Sequence, residues 1–300
     1  MNIKGYELNG ELKTTNSGFS KWGYARKNGT TYFIKEFIDP VYPVHTELLD
    51  PALVRRKQEI CEKYFRRSSE LYREINACSD GNLVYIEEFF RHGSHYYLTM
   101  EKVTAVSRRI VEKTSQEDRI RICKSLLHSV GRLHQKGIVH ADIKLDNIMF
   151  RELASGKIAG KIIDFDNSFR ESDPPSPESE VCGDPVYMAP ETYMMMAEEE
   201  GRLTSAIDVF ALGLVFHQIL SGDLPKFDRS RYQYPFEAVL NGESLICSSR
   251  IPELWKKMIE AMTEKDCKKR ITLEEAEKIW KKQMVPVKKT TGFFTPAGDL

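Results

Sequence analysis

The first part of the chain combines short segments typical of strands with one long helical segment. Residues 22–27 and 30–35 flank Asn28-Gly29, a strong signal for a two-residue hairpin turn. Residues 52–77 contain neither Gly nor Pro, which favours one long helix. The apolar residues that recur there at helical spacing are Ile60, Tyr64, Leu71 and Ile75.

A second strand pair is predicted at residues 83–89 and 95–100, and after about residue 103 the pattern becomes helical. The segment 206–220 is apolar nearly all round, which predicts a buried helix. Thr272 and Glu275 have the spacing of a capping box at the start of the last helix. The other predicted helices are 118–135, 251–262 and 272–282.

A small strand-rich part followed by a larger helical part predicts an α+β fold of two lobes with a cleft between them. We expect the first lobe to comprise residues 1–102 and the second to comprise residues 103–285. Residues 286–300 are short, polar and contain Gly and Pro, so we expect a loose C-terminal tail.

The composition excludes several classes of protein. Of 300 residues, 41% are hydrophobic and 29% are charged, as in ordinary globular proteins. The 44 basic residues balance the 44 acidic ones, so no global field favours nucleic acid or anionic lipid. The most apolar run is too short and too interrupted to span a bilayer, and the six cysteines have no ligand or redox spacing. We therefore expect a cytoplasmic protein with reduced thiols and with neither a membrane nor a nucleic-acid partner.

The densest chemical signal is residues 140–147, followed by residues 162–166. They place carboxylates, an ammonium group and an amide on two short loops that flank the strand-like residues 148–150. Phosphoryl transfer needs such a set, because one carboxylate orients the attacking hydroxyl, a cation offsets the charge of the moving group, and oxygen ligands hold Mg²⁺. The residues concerned are Asp142, Lys144, Asn147 and Asp164.

These two stretches resemble the H-R-D-x-K-x-x-N catalytic loop and the D-F-G metal motif of eukaryotic-type (Hanks-type) serine/threonine protein kinases. The resemblance extends from about residue 12 to residue 282. Residues 183–191 resemble the substrate-positioning segment that ends in Ala-Pro-Glu, and residues 208–213 resemble the start of the central buried helix. The resemblance also implies a buried ion pair between Glu191 and Arg270 that supports the scaffold.

The resemblance implies the bilobal protein-kinase fold and a role for each site residue. Asp142 and Lys144 would be catalytic, and Asn147 and Asp164 would hold Mg²⁺, with Mn²⁺ as an alternative. Lys35 would grip the ATP phosphates and pair with a helix glutamate, for which Glu70 fits best and Glu74 is the rival. The residues implied in binding ATP are Lys35, Glu70, Ser17, Gly18, Phe19, Ser20, Trp22, Phe33, Met100, Glu101 and Val103.

The nucleotide-binding part departs from the family pattern. Thr15, Ser17 and Ser20 stand where the phosphate loop usually has glycine, and a Cβ at each site restricts the backbone. Trp22 and Phe33 replace small residues, so we expect bulky side chains to crowd the space above the adenine ring.

The catalytic and metal motifs depart from the pattern as well. Ala141 replaces the arginine that usually pairs with a phosphorylated activation loop, so we expect activity without that phosphorylation. Asp166 replaces the glycine of the metal motif, where its carboxylate would either join the metal ligands or face water. Asp184 stands where a threonine is usual, close to Asp142.

Lys144 is the usual mark of serine/threonine specificity, so we expect a kinase that phosphorylates Ser/Thr hydroxyls of a protein substrate. One alternative is a small-molecule kinase of the aminoglycoside or choline type, which Asp166 slightly favours and the Ala-Pro-Glu segment opposes. The other is a pseudokinase that acts as a nucleotide-binding scaffold, which the missing glycines favour and the complete set of reactive residues opposes.

Overall fold

A computed structural model describes the chain at residues 1–14, 20–44, 46, 47, 49–175, 183–197 and 202–283. The first part is an antiparallel sheet of six strands: β1 (Asn2–Ile3), β2 (Tyr6–Leu8), β3 (Ser20–Lys27), β4 (Thr30–Phe37), β5 (Ile86–His92) and β6 (His95–Glu101). The strands lie in the order β1-β2-β3-β4-β6-β5. β4 is therefore central, with β3 on one side and β6 on the other.

The predicted hairpin between β3 and β4 is confirmed. Asn28 and Gly29 have φ of 50° and 80°, the left-handed values that a tight two-residue hairpin turn requires. The second hairpin starts later than predicted, at Ile86. The reason is that the preceding residues pair elsewhere: Leu83 forms a parallel bridge with Ile162, and the Val84 N–H donates to the Ile162 carbonyl over 2.8 Å.

The long helix is present as α1 (Pro51–Cys78), 28 residues in length. The Asp50 side chain caps it by accepting a hydrogen bond from the Ala52 N–H, and Pro51 occupies the first turn. Leu71 lies on the buried face as predicted, but Ile60 is 55% exposed, because the neighbouring Cys61 faces the core in its place.

The second part is mainly helical. Its helices are α2 (Arg109–Glu112), α3 (Gln116–Gln135), α4 (Pro190–Met196), α5 (Ala206–Ser221), α6 (Pro235–Leu240), α7 (Glu253–Met262) and α8 (Leu273–Gln283). α5 is buried on nearly every side, as predicted. The predicted capping box at α8 is also present, because Thr272 Oγ1 accepts from the Glu275 N–H and Glu275 Oε2 accepts from the Thr272 N–H.

Two small strand pairs complete the second part and carry its loops. The hairpin β8 (Ile148–Glu152) and β9 (Ile158–Ile162) is one pair, and β7 (Ile138–Val139) with β10 (Phe169–Arg170) is the other. The main hydrophobic core, called the main core below, contains side chains of α1 and β6 together with those of α3, α5 and α7. Among the described residues, no helix is both long and apolar enough to cross a bilayer.

Candidate active site

The loop between β7 and β8 brings three of the predicted site residues into one cluster. Lys144 Nζ lies 3.0 and 2.9 Å from the two carboxylate oxygens of Asp142. Asn147 Nδ2 donates to the second of these oxygens and to the Asp142 carbonyl, each over 2.8 Å. The Asp142 carboxylate therefore has a fixed direction, and its negative charge is balanced by Lys144.

A buried carboxylate of α5 holds the start of this loop. Asp208 is 1% exposed and accepts hydrogen bonds from the N–H groups of His140 and Ala141 over 2.7 and 2.8 Å. His134 Nε2 lies 3.0 Å from the same carboxylate. These contacts stabilise Ala141 in the left-handed region, at φ of 65°. Sequence reasoning missed this role, although a charged residue inside an apolar helix is a signal that it has buried partners.

His140 and Asn147 join this loop to the second loop, which follows β9. His140 Nδ1 accepts from the Asp142 N–H over 3.2 Å, so its Nε2–H donates to the Ile163 carbonyl over 3.2 Å. The Ile163 N–H in turn donates to the Asn147 carbonyl over 2.9 Å. Asp164 comes next in the chain, so both predicted metal ligands lie beside the Asp142 cluster.

Lys35, on the central strand β4, contacts two carboxylates of the second loop. Its Nζ lies 2.7 Å from Asp164 Oδ1 and 2.7 Å from Asp166 Oδ2, and its side chain is 8% exposed. Burial acts to lower the pKa of Lys35. The negative charges of Asp166 and, to a smaller extent, Asp164 act to raise it and outweigh burial, so the pKa lies above its ordinary value. Lys35 is therefore a fixed cation.

The expected ion pair between Lys35 and a helix glutamate is absent from the described part of the chain. Glu74 and Glu70 instead contact Arg170, at 2.9 and 3.7 Å. Arg170 thus engages both glutamates, and the charge of Lys35 is compensated by Asp164 and, where a glycine would supply no carboxylate, by Asp166. This contact also corrects the expectation for Asp166 itself, whose carboxylate binds Lys35 and does not simply face water.

The predicted nucleotide-binding residues of the sheet lie on one face. Trp22 pairs with Lys35 across the β3–β4 ladder and Phe33 lies two residues before Lys35, so their side chains point the same way. The rings of Trp22 and Phe33 are stacked, with centroids 5.6 Å apart and planes 17° apart. Met100 pairs with Phe33 and is buried in the main core. The two bulky side chains that the sequence predicts on this face thus form an ordered aromatic stack.

The remaining predicted nucleotide-binding residues lie at the ends of strands or outside the described residues. Glu101 ends β6, and its amide N–H donates to the Tyr85 carbonyl over 3.0 Å. Val103 lies two residues later and packs, partly buried, against the main core. Ser20 begins β3 and is buried. The residues outside the described part of the chain are Ser17, Gly18 and Phe19.

A cavity of about 660 Å³ lies beside Asp142, between α1 and residues 183–192. Asp184 lines it together with Asp142. One oxygen of Asp184 accepts a hydrogen bond from the Val186 N–H over 3.0 Å, and Lys144 neutralises Asp142, so the two carboxylates do not face each other uncompensated.

The predicted ion pair between Glu191 and Arg270 is confirmed. The two guanidinium nitrogens lie 2.6 and 3.0 Å from the two carboxylate oxygens, and both side chains are buried. This bidentate geometry fixes the start of α4 against the connection between α7 and α8. The same start of α4 borders the cavity.

The donor set fits a divalent cation that is shared with a phosphate group. No cluster of three or more His, Cys, Asp or Glu side chains suited to a metal occurs among the described residues. Mg²⁺ does not need one, because it is usually held by one or two protein oxygens together with substrate phosphates. Asp164 offers a carboxylate that is 34% exposed, and Asn147 offers the oxygen of an amide whose nitrogen is engaged with Asp142.

Comparison with known proteins identifies the family. The family model described as "Protein kinase domain" matches residues 53–281. The chain belongs to the protein kinase domain family. Members of this family use ATP and a divalent metal.

Two curated relatives and one solved structure of protein kinases agree with this result. The chain is 30% identical over 281 residues to the probable serine/threonine-protein kinase fhkC of Dictyostelium discoideum, covering 90% of this chain and 43% of the relative. It is 31% identical over 214 residues to the calcium/calmodulin-dependent protein kinase type 1B of Rattus norvegicus, covering 69% of this chain and 60% of the relative. The chain therefore spans about half the length of these relatives.

A solved kinase structure shows the same fold. The Cydia pomonella granulovirus kinase PK-1 matches with a TM-score of 0.64 and 17% identity, over 91% of this chain and 92% of that one. The α+β, bilobal protein-kinase fold predicted from the sequence is thereby confirmed.

Proposed function

We propose that this chain is a serine/threonine protein kinase, which transfers the γ-phosphoryl group of ATP to a Ser or Thr hydroxyl of a protein substrate. The observation that carries the proposal is the Asp142 carboxylate, held by Lys144 and Asn147 next to the loop in which Asp164 contacts Lys35. Together these five residues supply the two carboxylates, the amide and the two cations that phosphoryl transfer needs.

Each residue of the cluster has a step that its geometry suits. Asp142 accepts a hydrogen bond from the substrate hydroxyl, orients its oxygen toward the γ-phosphorus and takes its proton. Lys144, already beside Asp142, offsets charge on the transferred group. Lys35, on the same face of the sheet as Trp22 and Phe33, holds the α- and β-phosphates.

Asn147 and Asp164 would hold the divalent cation, Mg²⁺ with Mn²⁺ as an alternative. When bound, it offsets the negative charge of the phosphates. We assign residues 1–102 to the lobe that binds ATP and residues 103–285 to the lobe that binds the protein substrate. The C-terminal tail predicted at residues 286–300 lies outside the described residues. The cavity beside Asp142 supports a substrate position at the second lobe, because residues 183–192 of that lobe line it next to the proposed base, opposite α1.

The test is transfer of radiolabel from γ-labelled ATP to a generic basic protein. Asp142→Ala is expected to lower the rate by about 10²–10⁴-fold, since it removes the group that orients and deprotonates the hydroxyl. Asp146→Asn is the matched control, because Asp146 lies on the same loop but is 68% exposed and pairs with Arg108 on the surface. Label confined to small molecules would indicate a small-molecule kinase, and absence of label would indicate a scaffold.

A second arm of this experiment tests independence from activation-loop phosphorylation. Ala141 offers no cation to a phosphorylated loop, so protein treated with phosphatase is expected to transfer label at the untreated rate. Loss of most of the activity after treatment, with recovery on incubation with ATP, would contradict this part of the proposal.

A further inference from the structure

Lys35 is a buried cation that is held by two carboxylates at equal distance. Its Nζ lies 2.7 Å from an oxygen of Asp164 and 2.7 Å from an oxygen of Asp166, and its side chain is 8% exposed. A buried ammonium group without an anion is strongly unfavourable, so while no phosphate is bound at least one of these contacts must persist as long as Lys35 stays buried.

Asp164 is the less permanent of the two partners. Its side chain is 34% exposed, and in the proposed function its carboxylate also holds the divalent cation. Asp166 is 22% exposed, its Oδ2 contacts Lys35, and its Oδ1 is buried without a hydrogen-bond partner among the described residues. Of the two carboxylates, that of Asp166 is therefore the one committed to Lys35.

The glutamates of α1 are committed to a different cation. Glu74 contacts Arg170 of β10 through both carboxylate oxygens, at 2.9 and 3.2 Å, and Glu70 lies 3.7 Å from the same guanidinium group. Arg67 of α1 adds a hydrogen bond of 2.7 Å to the Asp173 carbonyl. These contacts tie the helix to the chain that follows the second loop, and they leave Lys35 to the two carboxylates of that loop.

We propose that Asp166, and not a glutamate of α1, is the positioning residue that holds Lys35 in place for the phosphates of the nucleotide. This inference rests on the proposed function, which assigns phosphate binding to Lys35. Lys35 donates one of its three N–H bonds to Asp166, which leaves the others for Asp164 and for phosphate. Charge balance at Lys35 then does not require α1 to move toward the cleft.

The experiment measures the dissociation constant of a fluorescent ATP analogue with Mg²⁺ for the full chain. Asp166→Asn keeps the shape of the side chain and removes its charge, and it is expected to weaken binding by about tenfold or more, as for loss of a charged hydrogen bond. Asp166→Gly, which introduces the residue usual at this position, is expected to weaken binding as well. The double variant Glu70→Gln/Glu74→Gln removes two charges from α1 and is expected to leave the dissociation constant unchanged.

A second background separates positioning from a merely structural effect. In a Lys35→Met chain, Asp166→Asn is expected to cause no further loss of affinity, because the cation that Asp166 positions is gone. A structural role would weaken binding equally in both backgrounds. Circular dichroism and thermal melting identify any variant that fails to fold, and Asp166→Gly then replaces Asp166→Asn in the comparison.

If wild type binds the nucleotide and both Asp166 variants bind it with the same affinity, this inference is overturned and the proposed function stands. The same holds if the α1 double variant loses as much affinity as the Asp166 variants. Wild-type protein that binds no nucleotide overturns both. Equal losses in the wild-type and Lys35→Met backgrounds also overturn the positioning role.

Discussion

The carboxylate of Asp208 constrains the geometry of the loop that carries Asp142. It accepts two hydrogen bonds from consecutive backbone amides and lies 3.0 Å from His134 Nε2, while being 1% exposed. Two amide groups that point at one carboxylate define the path of the chain immediately before Asp142. The direction of the proposed base is therefore set from inside helix α5.

Asp208→Asn is expected to lower both stability and activity. An amide group retains the size of the side chain, but its nitrogen would face a backbone donor and leave it without an acceptor, at a cost of about 1–3 kcal/mol. Urea denaturation measures the free energy of unfolding, and the radiolabel assay measures the rate. Asp223→Asn, at an 81% exposed side chain, is the control. Full activity in Asp208→Asn would show that the loop does not depend on this carboxylate.

At the residue scale, the sequence predicts the reactive groups better than their partners. Asp142, Lys144 and Asn147 lie within six consecutive residues, so their clustering follows from one short loop. The partner of Lys35 is different, because carboxylates at Glu70, Glu74 and Asp166 were all available, and the sequence favoured Glu70. Which of them reaches Lys35 depends on how the helix and the loop pack, and spacing along the chain does not encode that.

At the scale of elements, periodicity predicts the existence of a helix or strand well and its neighbours less well. The segment 83–85 has the apolar character of a strand, and the structure pairs its residues with β9 of the second part as well as with β6. In α1, Ile60 has the right spacing for the core but is exposed. Both differences arise from tertiary packing, which selects among faces and partners that are equally apolar.

Helix α5 also carries a buried histidine whose protonation opposes folding. His217 is 1% exposed; its Nδ1 lies 2.6 Å from the Asp223 carbonyl, and its Nε2 accepts from the Ser248 N–H over 3.0 Å. Nε2 is therefore unprotonated and Nδ1 carries the hydrogen. Burial lowers the pKa of His217 below its ordinary value, against the opposing effect of the Asp223 carbonyl.

The stability of the protein is expected to fall on acidification because of His217. Since the folded-state pKa is lowered, the stabilisation is complete above the unfolded-state pKa of about 6.5 and is lost as the pH falls toward the folded-state value. One proton contributes a slope of at most about 1.4 kcal/mol per pH unit. Urea denaturation at pH 7.5, 6.5 and 5.5 measures it.

The variant His217→Gln is expected to be less stable than wild type at pH 7.5 and to lose less stability on acidification, because Gln does not titrate. His92→Gln changes an exposed histidine and should keep the wild-type slope. Parallel curves for wild type and His217→Gln would mean that His217 does not account for the pH dependence.

At the scale of the whole molecule, distant segments are joined by one buried ion pair in the second part. Glu191 opens α4 beside the cavity, and Arg270 lies 79 residues later in the connection between α7 and α8. Arg270 also donates to the carbonyl groups of Ala206 and Glu264, so one guanidinium group contacts α4, the start of α5 and the end of the α7 region. The pair was predictable because both residues belong to motifs, whereas these carbonyl partners belong to none.

Glu191→Gln is expected to lower the free energy of unfolding by about 3–5 kcal/mol, because it leaves the Arg270 charge buried without its anion. The double variant Glu191→Gln/Arg270→Met removes both charges, so it should cost less than the sum of the two single variants. Arg231→Ala breaks an ion pair with Glu243 in which the Arg231 side chain is 62% exposed, and it should cost about 0–1 kcal/mol. Denaturant unfolding of all four variants gives the comparison. If Glu191→Gln costs no more than Arg231→Ala, the buried pair does not hold these segments together, and the position of α4 beside the cavity must come from apolar packing alone.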